Sequence, residues 1–157
     1  MDNPVALVTG ASGGIGRSIA LRLGREGLDV AFHYRTGRRE AEEAAGEARE
    51  TGVRAVAVAG DISIPEDVAS IFRAVEDSLG PPTVLINNAG IAPLAPNFED
   101  VTEALWDRIL AVNLKGHFLC TREAVPGMRR SGGGVIVNIG SEMAFHPKNQ
   151  SLPYHVA

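Results

Sequence analysis

The first apolar run, Val5-Ala6-Leu7-Val8, has no polar interruption, which is the pattern of a parallel strand covered on both faces. It feeds the glycine-rich stretch Val8-Thr9-Gly10-Ala11-Ser12-Gly13-Gly14-Ile15-Gly16. From Gly14 the apolar residues Ile15, Ile19 and Leu23 recur at helical spacing, Arg17, Arg22 and Arg25 fall elsewhere, and Gly27 supplies a C′ stop, predicting a first helix. Val30-Ala31-Phe32 opens a second strand that ends at His33-Tyr34-Arg35. Ala41, Ala44, Ala45 and Ala48 then mark the narrow inner stripe of a helix closed by Gly52.

Ala55 to Ala59 reads as the third strand, followed by Gly60-Asp61-Ile62. Ser63-Ile64-Pro65-Glu66 combines a capping box with an early proline, and Val68, Ile71, Phe72, Val75 and Leu79 continue at helical spacing. After Gly80-Pro81-Pro82, Val84-Leu85-Ile86 is a fourth strand with Asn87-Asn88-Ala89-Gly90 at its carboxyl end. A loop to about Asp100 precedes a long helical stretch, about 102–128, whose apolar face carries Trp106, Ile109, Leu110 and Phe118 with Asn113 in its middle. Gly132-Gly133-Gly134 leads into a fifth strand, Val135 to Ile139.

Five strand and helix alternations without a repeat or linker predict an α/β fold: one doubly wound parallel sheet, residues 1–157 forming a single domain. Ligands bind such sheets outside the carboxyl ends of the strands. The unusual residues all fall there: the glycine turn, Tyr34-Arg35, Asp61, Asn87 to Gly90 and Gly140-Ser141.

Composition narrows the chemistry. The 15 basic against 19 acidic residues give a net charge of −4, unsuited to tracking a polyanionic backbone, so nucleic acid is not an expected partner. No apolar run approaches the ~20 residues of a membrane helix, and no signal peptide precedes the first strand, which makes the cytoplasm the expected compartment. Cys120 is the only cysteine and reads as a packed thiol rather than a nucleophile. No metal site is expected.

Four glycines between residues 10 and 16 let the backbone bend tightly and let an anion approach main-chain N–H groups at a helix N-terminus. The spacing of Gly10, Gly14 and Gly16 is not the commoner G-x-G-x-x-G, and a purely structural turn is the competing reading. A dinucleotide on this rim would place its adenosine ribose near the end of the second strand. Where an acidic residue would select NAD, this chain has Tyr34 and Arg35, with Arg38 and Arg39 nearby, which favours the 2′-phosphate of NADP. The alternative is that these arginines form a solvated helix start facing Glu40, Glu42 and Glu43. Asp61, with Ile62 beside it, is either an acceptor for the adenine amino group or a turn residue ahead of Ser63. Asn87-Asn88-Ala89-Gly90 is either a plain loop or, the favoured reading, twin amides that fasten neighbouring strand ends with small residues that leave room for a ring. Asn113 is either a satisfied core amide or a group that holds water. The Ser141 hydroxyl and the Tyr154 phenol could jointly hold a carbonyl oxygen.

Taken together, Thr9 to Gly16, Asp61, Asn87 to Gly90, Asn113 within Val112-Asn113-Leu114, Ser141 and Tyr154 make the chain resemble the short-chain dehydrogenase/reductase family over essentially its whole length. Within it, the likeness is nearest to NADPH-dependent ketoacyl-carrier-protein reductases and glucose dehydrogenase-like members. The resemblance implies a Rossmann fold and hydride transfer between nicotinamide and a carbonyl or secondary alcohol. It makes Gly10, Ser12, Gly14, Ile15, Gly16, Tyr34, Arg35, Asp61, Ile62, Asn88, Ala89 and Gly90 cofactor contacts. Tyr154 is then the proton donor, Ser141 polarises the substrate oxygen, and Asn113 holds a relay water. The resemblance further implies a small-molecule or acyl-carrier-bound carbonyl substrate, met partly by residues 91–100 and 142–153, and, in the complete protein, a homodimer or homotetramer.

A departure from the family pattern follows Tyr154. The family's motif is Tyr-x-x-x-Lys, and here His155, Val156 and Ala157 close the sequence. The family also continues for about two more strands. An incomplete copy with impaired turnover is therefore expected, and a non-catalytic nucleotide-binding or interaction module is the rival reading.

Overall fold

The computed structural model describes residues 3–93, 95, 97–146 and 152–157. Its centre is a five-stranded sheet of β1 (Val5–Val8), β2 (Asp29–Tyr34), β3 (Ala55–Ala59), β4 (Val84–Asn87) and β5 (Val135–Asn138) in the order β3-β2-β1-β4-β5. Every pairing is parallel, with Leu7 opposite Ala31 on one side and Leu85 on the other. The order reverses direction between β1 and β4, the switch point at which such sheets open a crevice.

Because side chains alternate across a strand, the sheet builds two cores. Leu7, Ala31, Val58 and Leu85 point to one face, where α3 (Pro65–Leu79) and α5 (His117–Arg130) cover them. Val8, Val30, Phe32 and Ile86 point to the other, against α1 (Gly14–Arg25) and α2 (Arg38–Arg49). The alanine stripe of α2 and the apolar ladder of α3 are buried as their spacing predicts. Gly27 has φ 90°, and its N–H and that of Leu28 reach back to Gly24 and Leu23, closing α1 with a left-handed cap.

Three local expectations are corrected. The buried face of α1 is Gly16, Ala20, Leu21 and Gly24, while Ile15 is 64% exposed, because close approach of this helix to the sheet needs small residues more than bulky ones. Ser63 does not cap α3. The cap position is Ile64, and the Ser63 hydroxyl donates instead to Asp61 Oδ1 at 2.6 Å. The long helix is three segments: α4 (Glu103–Leu110), a π-helical turn (Ala111–Gly116) and α5. The wide turn shifts the inner face to Ile109, Val112, Gly116, Leu119 and Cys120, and leaves Phe118 58% exposed beneath the Arg122 guanidinium. Gly116 is needed there, since a Cβ would lie 2.7 Å from Ile62 Cδ1.

A short helix α6 (Leu152–Val156) carries Tyr154 back over α4. Among the described residues no helix is long and apolar enough to cross a membrane.

Candidate functional site

The glycine turn is locked onto β4 by hydrogen bonds that its own residues supply. Thr9 Oγ1 accepts from the N–H groups of Asn88 at 2.9 Å and Ala89 at 3.0 Å while donating to the Ile86 carbonyl at 3.3 Å. That exhausts what one hydroxyl can do. In return, Asn88 Nδ2 donates to the carbonyls of Thr9 and Gly10 at 2.9 and 3.2 Å. Gly10 has φ 66°, and a Cβ there would fall 2.9 Å from Ala89 Cα. On Gly16 a Cβ would run into the Asn88 amide and the Gly10 carbonyl. Asn87 works on the other side, donating from Nδ2 to Asn138 Oδ1 at 2.9 Å and to Thr121 Oγ1 at 3.2 Å. The paired amides thus tie the ends of β1, β4 and β5 together, as their position suggests.

A residue that pattern reading passed over completes the lock. His33 is 2% exposed and accepts from the Gly10 N–H through Nδ1 at 3.1 Å, while its Nε2 lies 3.1 Å from the Gly60 carbonyl. Only the neutral tautomer with the proton on Nε2 serves both partners. Burial pushes its pKa down to about 4, against the opposing pull of the Gly60 carbonyl and the Asp61 charge. One imidazole therefore bridges the turn after β1 to the end of β3. Its sole local signal is a polar side chain inside an otherwise apolar strand.

Above this framework lies a cleft of about 360 Å³ lined by Gly10, Ser12, Arg35, Asp61, Ile62 and Asn88 to Gly90 among the expected residues. His33, Thr36, Gly60 and Arg108 line it as well, and of these Thr36 and Arg108 carry no local sequence signal. Arg108 reaches Asp61 from 47 residues away. Asp61 Oδ1 accepts from Ser63 N and Oγ, and Oδ2 accepts from Arg108 Nη2 at 2.8 Å. Burial alone would raise the Asp61 pKa, but the Ser63 and Arg108 hydrogen bonds and the Arg108 charge hold it at about 2. Of the cations after β2, Arg38 pairs with Glu42, and Arg39 with Glu40 and Glu43, whereas Arg35 stands on the cleft. Tyr34, Gly14 and Gly16 do not line it, and Ile15 belongs to a neighbouring cavity.

A dinucleotide suits this cleft on structural grounds. Gly13 and Gly14 have open space where a Cβ would stand, Gly13 leaves the start of α1 without a side-chain cap, and no acidic residue stands in its first turn.

The neighbouring cavity, about 620 Å³, shares Asn88, Ala89 and Gly90 with the cleft and brings Asn113, Ser141 and Tyr154 to one space. Ser141 Oγ accepts from Met143 N at 3.2 Å, which leaves its hydrogen free to donate. The Asn113 amide is satisfied at both ends by Ile91, accepting from N and donating to O at 2.9 Å each. One amide hydrogen and one lone pair remain for a water. His117 Nε2 sits 2.9 Å from the Ala89 carbonyl, and burial lowers its pKa against that hydrogen bond. Ala92 and Ala144 line the cavity within the stretches expected near substrate, while residues 94, 96 and 147–151 of those stretches lie outside the described residues.

The family model for short chain dehydrogenases matches residues 4–157. The chain belongs to that family. Among short-chain dehydrogenase relatives, a short-chain type dehydrogenase/reductase of Picea abies is 41% identical over 150 residues, covering 91% of this chain and 55% of its own length. The 3-oxoacyl-[acyl-carrier-protein] reductase FabG of Staphylococcus aureus is 40% identical over 137 residues, 87% of this chain and 55% of the relative. The solved structure of acetoin dehydrogenase YohF from Salmonella typhimurium superposes with a TM-score of 0.93 at 35% identity, covering 99% of this chain and 61% of that one. This family member thus spans little more than half the length of the curated relatives it matches.

Proposed function

We propose that this protein is an NADP(H)-dependent oxidoreductase acting on a carbonyl or secondary alcohol, a ketone or 3-oxoacyl compound, free or carrier-bound. The observation that carries this reading is the meeting of Asn113, Ser141 and Tyr154 in a cavity that adjoins the glycine-turn cleft through Asn88 to Gly90. When bound, the dinucleotide supplies hydride from its nicotinamide. The cleft residues hold it: the backbone from Gly10 to Gly16 takes the pyrophosphate, Arg35 the 2′-phosphate, and Asp61 and Ile62 the adenine. Ser141 donates to the substrate oxygen from Oγ, and Tyr154 gives its phenolic proton to that oxygen in reduction. Asn113 fixes the Ile91 backbone and holds a relay water with its remaining amide hydrogen and lone pair.

The names of the relatives support the reaction class, and the FabG name supports the 3-oxoacyl substrate. Assembly into a homodimer or homotetramer belongs to the same reading, with Leu114 and Phe118 exposed on the helical rod formed by α4, the π turn and α5. Among the described residues, no lysine or arginine lines the Tyr154 cavity. Slow turnover of the 157-residue chain is part of the same proposal. The same observation favours the second reading, a nucleotide-binding module without catalysis.

The test combines binding and rate. NADPH should bind more tightly than NADH, and a saturating ketone should give slow NADPH oxidation that Tyr154→Phe abolishes. Equal affinities reject the Arg35 assignment. Oxidation unchanged by Tyr154→Phe rejects the mechanism, and tight binding with no oxidation selects the module.

A further inference from the structure

Two guanidinium groups face one carboxylate at the end of β3. Arg108, from α4, donates through Nη2 to Asp61 Oδ2 and through Nη1 to Ser63 Oγ, both at 2.8 Å. Arg35, just past β2, places Nη1 4.0 Å from the same Oδ2. All three side chains line the cleft, and they differ in exposure: Asp61 is 16% exposed, Arg108 36% and Arg35 54%. Arg35 is thus the one whose head stands out in the cleft, in a long ion pair with the carboxylate but not hydrogen-bonded to it.

From this geometry we propose that Arg108 sets the cofactor preference of the cleft, by occupying Asp61 and so holding Arg35 to a long, loose ion pair from which it can turn to a 2′-phosphate. The proposal rests on the assignment of Arg35 to that phosphate. With Arg108 in place, two cations and one anion leave a net positive site. Without it, the Asp61 carboxylate has Arg35 as its nearest cation, and a shift of little more than 1 Å brings the two into a charge-assisted hydrogen bond. A phosphate would then meet a guanidinium already neutralised and a carboxylate that repels it. Arg38 and Arg39 are engaged by Glu40, Glu42 and Glu43 on α2 and do not replace it.

NADPH and NADH share adenine, pyrophosphate and nicotinamide, so the ratio of their dissociation constants isolates the 2′-phosphate from general damage to the cleft. Both are titrated by nicotinamide fluorescence against the wild type, Arg35→Met, Arg108→Met, Arg108→Lys, and the double variant Arg108→Met with Asp61→Asn. Arg108→Met should lower the NADPH preference about fivefold. Arg108→Lys keeps a cation on Asp61 and should retain most of the preference. Asp61→Asn removes the charge on which Arg35 would collapse, so the double variant should regain the preference that Arg108→Met loses. A loss shared equally by both cofactors, or one that Asp61→Asn does not restore, overturns the proposal in favour of a structural role. An unchanged ratio in Arg108→Met, with the ratio lost in Arg35→Met, overturns it while the Arg35 assignment stands. A ratio that Arg35→Met leaves unchanged overturns that assignment and the proposal with it. Should Arg108→Met fail to fold, Arg108→Lys against Arg108→Gln gives the same comparison.

Discussion

A proton on His33 Nδ1 would set a donor against the Gly10 N–H from which that nitrogen now accepts. The fold therefore favours the neutral ring, and stability acquires a pH dependence of definite sign. The folded pKa is about 4 against an ordinary value of 6.5. Above pH 6.5 the ring is neutral in both states and the full contribution is present. As pH falls from 6.5 to 4, the unfolded chain takes up a proton that the folded one refuses, and stability drops by on the order of 3 kcal/mol. Asp61, held at about 2 against 3.8, contributes a separate loss below pH 3.8. Urea denaturation at pH 7 and pH 5 should show a steeper acid loss in the wild type than in His33→Gln, although the variant is the less stable of the two at pH 7. Equal losses would assign the acid sensitivity elsewhere. Cys120, by contrast, is inert near neutrality: burial, aided by Glu123, pushes its thiol pKa up to about 12.

At the scale of elements, legibility depends on whether a position's job is local. The inner faces of α2 and α3 follow from periodicity alone, because burying a stripe of one helix needs nothing but spacing. Strand ends are equally legible, since a polar or glycine residue directly after an apolar run has few other reasons to be there. What spacing misreads is α1, where Gly16 is inward and Ile15 outward. The deciding constraint there is the Asn88 amide, 72 positions further along the chain, which fills the space a Cβ would take. Gly16→Ala should accordingly overpack the contact and cost about 1–3 kcal/mol. A measured loss below half a kilocalorie would mean that α1 slides without resistance. Helical spacing is equally blind to the π turn, whose extra residue rotates Phe118 out and keeps Asn113 on the Ile91 backbone. Replacing Asn113 by leucine leaves both polar groups of Ile91 without that partner and should cost about 1–3 kcal/mol in thermal or urea melts. His33 and Arg108 stay hidden for the same reason, as each bridges elements far apart in sequence.

Among the described residues of these 157, one edge of the sheet is unpaired and exposed. β3 lies at the other edge with Ala55 and Val58 buried against its helices, whereas in β5 only β4 pairs with Val135-Ile136-Val137-Asn138, and Val135 and Val137 are 56% and 40% exposed. No charge interrupts the strand, so it offers unpaired backbone groups and apolar side chains to the same edge of another copy. A lysine there keeps the existing pairing to β4 but makes each incoming copy meet like charge and a solvated side chain. Light scattering of the wild type should therefore rise with concentration and with salt, which screens the net charge of −4 that holds copies apart. Val137→Lys should suppress that rise while leaving the far-ultraviolet circular dichroism and the urea midpoint nearly unchanged. Scattering equal to wild type in a folded Val137→Lys variant would move the sticky surface to the exposed Leu114 and Phe118 on the helical rod, where Phe118→Asp would then be the suppressing change.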